Sequence, residues 1–154
     1  MSLSLAEVVP DAREVLEEEL VSFAGAQPSP AIAERYLALA GAVGTGEVPD
    51  ELVPPLETFL ELALHRGRLR RQRGAEADDA LGALFFRTPS GAQARKAAHD
   101  VSRALAALAG QSIERIGVSA TIGGHALEIR TDRAQLTVEL DRGGARVKSV
   151  EVGA

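Results

Sequence analysis

The run His65-Arg66-Gly67-Arg68-Leu69-Arg70-Arg71-Gln72-Arg73 sets five arginines within nine residues and is the densest charge in the chain. A guanidinium offers a planar fork of donors that matches phosphate or carboxylate, so such a run suits phosphate, nucleic acid or an acidic partner. Arg66, Arg68, Arg70, Arg71 and Arg73 are therefore the candidate anion- or partner-binding residues. A structural reading competes with it. Arginines near a helix end also favour the negative end of the helix dipole. Helical spacing sharpens the choice, because a stripe through Leu60 and Ala63 would next reach Gly67, Arg70 and Gly74. The core-facing side would then stop being apolar after Leu64, so the helix either projects into solvent or meets acidic groups.

Glu19 supplies one such group. Glu17 and Glu18 read as a solvated acidic face, whereas Glu19 falls inside the stripe of Ala12, Val15, Leu16 and Phe23. A carboxylate placed there needs a partner, since burying it unpaired costs several kcal/mol. Glu19 is thus the candidate structural ion pair, expected to bind an arginine of the 66–73 run and tie the first helix to the third.

Other reactive residue types are sparse. The three histidines, His65, His99 and His125, form no metal-ligand spacing, and no carboxylates fall at calcium-loop positions. Ser90 or Ser102 could meet a histidine only through the fold, as triads do. Gly41-Ala42-Val43-Gly44-Thr45-Gly46 follows a helix and lacks the Lys-Ser/Thr ending, so it reads as helix termination and not as a phosphate loop. The chain has no cysteine, which removes disulfides and thiolate chemistry together. No cofactor or metal site is expected.

The elements that position these residues follow from two periods. Apolar residues recur at helical spacing from Pro10 to about Ala24, from Pro30 to Gly44, and from Pro54-Pro55 to Leu64. Leu5, Val8 and Val9 extend the first stripe, which suggests an earlier start bent at Pro10. A shorter helix carries Ala77, Leu81, Leu84 and Phe85 and closes at Thr88-Pro89. Ser90 is the expected cap of a fifth, with Ala94, Ala97, Ala98, Val101, Leu105 and Leu108 on one face. Phe86 points away from its neighbours' stripe and is the candidate interface anchor.

From residue 111 the period changes to two. Ile116, Val118, Ala120 and Ile122, then Leu127 and Ile129, then Leu136, Val138 and Leu140 alternate with polar residues, the mark of strands with one face buried. Turns are expected at Gly123-Gly124, Asp132-Arg133 and Arg142-Gly143-Gly144, with a bulge near Lys148-Ser149. Proline is absent from both end strands, which leaves edge pairing into a dimer available. All five aromatics lie before residue 87, so the sheet has no stacking platform for single-stranded nucleic acid.

These patterns predict an α+β fold, with about five helices in the N-terminal two-thirds packed on one face of a C-terminal four-stranded antiparallel β-meander. We expect a single domain over 1–154, in which residues 1–88 are helical and residues 89–154 form a helix plus the four-stranded meander. The net charge of −5 divides unevenly. Residues 1–64 carry −10, residues 65–110 carry +5, and the remainder is neutral. An acidic chain repels nucleic acid at long range, so nucleic acid is not the favoured partner. No apolar run approaches the roughly 20 residues of a membrane span, and Met1 to Glu7 lacks a signal peptide's basic flank.

The leading expectation is a non-enzymatic cytoplasmic interaction or assembly module, acting on itself or on another protein. An anion- or nucleic-acid-binding module using the Arg66–Arg73 run is the alternative. An unrecognised enzyme, or a carrier with an apolar cavity between helices and sheet, comes third.

Overall fold

The computed structural model describes residues 1–153. The order is β1 (Ser2–Ser4), α1 (Pro10–Gly25), α2 (Pro30–Thr45), β2 (Glu47–Pro49), α3 (Val53–Leu64), α4 (Arg68–Arg73), α5 (Ala75–Phe85) and α6 (Pro89–Ala106). Strands β3 (Ile113–Thr121), β4 (Gly124–Thr131), β5 (Ala134–Asp141) and β6 (Gly144–Val152) follow. The fold is α+β, with a C-terminal antiparallel meander in the order β3-β4-β5-β6. No described helix is long and apolar enough to cross a membrane. The chain divides into two compact units, Met1–Gly91 and Ala92–Ala154.

In the first unit, proline opens α1 and α2 and their stripes close on one another. Leu16 and Leu20 of α1, Leu39 and Val43 of α2, Leu56 and Leu60 of α3, and Leu81 and Leu84 of α5 share one buried cluster. Phe23 sits edge-on to Tyr36 and Phe59 at centroid separations of 4.8 and 5.4 Å, which locks α1, α2 and α3 together at one level. Gly46, at φ +88°, stops α2 in the left-handed conformation that glycine adopts without penalty.

Several local details differ from the sequence reading. α1 begins at Pro10, so Leu5, Val8 and Val9 are not an earlier start of it, and residues 2–4 before them form a strand that pairs with β2, Leu3 opposite Val48. Three-residue strands are too short to show a period. The stripe of α3 does not continue through the basic run either. The helix ends at Leu64, and Arg66 and Gly67 take left-handed φ values of 55° and 66°. That turn resets the helical phase, so that Leu69 of α4, not Arg70, enters the core.

The cap of α6 is Thr88, not Ser90. The Thr88 hydroxyl accepts the Gly91 N–H at 3.2 Å and donates to the Phe85 carbonyl at 2.7 Å. With Pro89 following at the first helical position, this is a cap-then-proline start. The Ser90 N–H is instead satisfied by Glu57 at 2.8 Å.

In the second unit, α6 lies on the apolar face of the meander. Val101 packs with Leu136 and Val138, flanked by Ala104, Leu108, Leu127, Ala145 and Val147. The C-terminal connection of α6 is held by Ser112 and Asp132, which exchange backbone and side-chain bonds of 2.9 and 3.0 Å. Buried Thr131 secures the β4–β5 turn, accepting the Ala134 N–H at 2.9 Å and donating to Gln111 at 2.6 Å. The first hairpin loop is Ile122-Gly123, one residue earlier than Gly123-Gly124, because Thr121 pairs with Gly124. The bulge of β6 falls at Lys148, where the register against Thr137 and Val138 shifts.

Candidate interaction site

The basic run lies largely in the company of acids. Arg70 donates to Asp78 at 3.2 Å and to Asp79 at 2.8 Å, both on α5. Arg73 donates to Glu19 at 2.8 Å and to Glu18 at 3.0 Å, both on α1. Arg68 lies 3.7 Å from the second oxygen of Glu19. Arg71 turns back to the Arg66 carbonyl at 2.6 Å, bracing the left-handed turn. The hydrogen bond to Asp78, then the charge of Asp79, holds Arg70 above the ordinary arginine range. Arg73 is raised chiefly by its bond to Glu19. A short helix thus carries Arg68, Arg70 and Arg73 into two carboxylate pairs, while its Leu69 is buried in the core.

This arrangement makes Glu19 the acceptor shared by two guanidiniums. Glu19→Ala is expected to lower the urea midpoint more than Glu14→Ala, a change at an exposed neighbour on α1. The gap should narrow in 1 M salt, where the screening length falls to about 3 Å. Equal responses from the two variants would show that the pair adds nothing to stability.

Phe86 is 40% exposed and stands edge-on to Phe85 at 5.6 Å. His65, His99 and His125 are all exposed, and no described group of three His, Asp or Glu side chains converges on one point. A cleft of about 490 Å³ runs beside α6, with Leu108, Leu136, Val150 and Val152 along its walls. Its charged residues, Asp100, Arg103 and Arg133, are exposed at the rim.

The largest departure from the sequence reading is at β3. Residues directly opposite one another in an antiparallel sheet share a face. Register therefore puts Ile116 in line with Ile129, Leu136 and Val150, and Val118 in line with Leu127, Val138 and Val147. The alternation correctly assigns these residues to one face, but α6 shelters only some of it. Ile116 and Val118 remain 57% and 63% exposed, and Ala120 is exposed between them and the hairpin. Leu105 and Leu140 add partly exposed apolar surface.

The two free edges of the meander differ. The β6 edge is broken by its bulge and carries Arg146 and Lys148, both engaged by Glu139, and Arg146 also by Asp141. Bulges and charges of this kind are how sheet edges discourage added strands. The β3 edge has a single irregularity at its start, between Ile113 and Arg115, and then runs unbroken to Thr121.

Together these features define an α+β protein whose helix-backed meander ends in a regular edge strand, β3, with Ile116 and Val118 exposed, and in a bulged edge strand, β6, on which Val150 and Val152 are exposed as well. No protein-family model matches the chain, and no curated protein or solved structure is significantly similar to it.

Proposed function

We propose that the protein is a non-catalytic cytoplasmic interaction and assembly module that associates with a second copy through β3. The observation that carries this reading is the exposure of Ile116 and Val118 on a regular strand with a free edge. Apolar side chains exposed side by side along a strand mark a contact surface, because water gains when they are covered. The unpaired backbone groups of the same edge add direction, since another strand can satisfy them. The absence of cysteine suits a reducing compartment. The arginines of the basic run support a structural role better than an anion site, because Arg68, Arg70 and Arg73 already face carboxylates.

Sedimentation equilibrium over a wide concentration range tests the reading. The native chain should associate reversibly, and Val118→Lys should weaken association at least about tenfold, or about 1.4 kcal/mol. Circular dichroism should show the fold unchanged, since Val118 is already mostly in water. A native chain that stays monomeric to millimolar concentration would end the proposal.

A further inference from the structure

We infer that two copies pair β3 against β3, antiparallel, about a two-fold axis through Val118. This rests on the self-association reading and adds its register and its stoichiometry. The geometry of the β3–β4 hairpin identifies which backbone groups are free. Thr121 and Gly124 close a two-residue loop. Ladder bonds to β4 therefore fall on Thr121, Ser119, Gly117 and Arg115, and the N–H and C=O groups of Ile116, Val118 and Ala120 point outward.

The ends of the regular segment choose the axis. The irregularity between Ile113 and Arg115 bounds it on one side and the hairpin loop after Thr121 bounds it on the other. Only a Val118-centred register pairs every residue from Arg115 to Thr121. It sets Arg115 opposite Thr121 of the second copy, Ile116 opposite Ala120, Gly117 opposite Ser119, and Val118 opposite itself.

Chemistry agrees with that register on both faces. On one, Ile116 meets Ala120, large against small, and the two Val118 side chains touch at the centre. On the other, Arg115 meets Thr121, so no charge faces a like charge. Centring the pair on Arg115 would set two guanidiniums against each other, and centring it on Ile116 or Ala120 would leave some of the segment unpaired. The three outward residues of each copy would exchange about six backbone hydrogen bonds.

The guarded β6 edge decides the stoichiometry. Val150 and Val152 are exposed on it, but its bulge and engaged charges work against the addition of a strand, so growth is expected to stop at the two copies joined through β3. The contact runs about 24 Å and stays near or below the roughly 1,000 Å² of a lasting interface. The dimer is accordingly a reversible one.

A cysteine-free chain makes the register measurable, because any disulfide must come from an introduced thiol. Val118→Cys should oxidise to a covalent dimer, with Cα atoms about 5.5 Å apart across the axis, inside disulfide reach. Ile116→Cys alone should cross-link at least about tenfold more slowly, its own copy lying about 14 Å away along the pair. A mixture of Ile116→Cys and Ala120→Cys should cross-link between the two, which checks the register without touching Val118. Faster oxidation of Ile116→Cys or Gly117→Cys than of Val118→Cys would overturn the axis. If sedimentation shows dimers while none of these thiols joins, the β3 pairing falls and self-association stands; a monomer throughout defeats both.

Discussion

Gly91→Ala is expected to lower stability by about 3 kcal/mol or more, the upper range for overpacking. A Cβ on Gly91 would lie 1.9 Å from the Phe85 carbonyl oxygen and 2.8 Å from the Phe86 Cα. These are backbone atoms, so no side-chain rotation relieves the clash. The same glycine donates its N–H to Thr88, and moving it would also undo the cap of α6. Gly82→Ala is the matched control. Nothing lies within 4 Å of a Cβ placed there, inside α5. It should be neutral or stabilising by about 0.5–1 kcal/mol, the ordinary preference for alanine over glycine in a helix. Urea unfolding followed by circular dichroism reads both, and an equal response at the two positions would refute the steric argument.

Leu60→Ala should cost about 2–5 kcal/mol, whereas Leu62→Ala should stay within about 0.5 kcal/mol. The two leucines are two residues apart on α3, yet Leu60 is fully buried and Leu62 is 51% exposed. At 100° per residue they project in nearly opposite directions. Removing Leu60 leaves a cavity in the helical core, while removing Leu62 only trims surface already in water. The same urea titration measures the difference, and comparable losses would mean that α3 packs through another face.

Much of the fold was legible because it depends on neighbours within a turn or two. Pro10 and Pro30 at helix starts, the stripe from Leu56 to Ala63, and the alternation from Ile116 to Leu140 each identify an element and one of its faces. The candidate site was legible only in fragments. Extending the α3 stripe into the basic run failed at Arg66, a left-handed residue that carries no glycine-like signal in its type. Once the helical phase was lost there, Leu69 could not be recognised as a core residue. The strands at Ser2–Ser4 and Glu47–Pro49 were invisible for a different reason. Their pairing joins segments more than forty residues apart, and neither is long enough to alternate.

What the amino-acid order determined by itself is which side chains share a face. Backbone geometry sets the periods of 3.6 and 2, so Ile116 and Val118 had to point the same way as Ala120. Whether that face is covered was decided by tertiary structure alone, since cover comes from distant residues whose placement no local spacing records. In the meander α6 shelters Leu136 and Val138 and leaves Ile116 and Val118 in water. The identical apolar alternation thus produced a core in β5 and an open edge in β3.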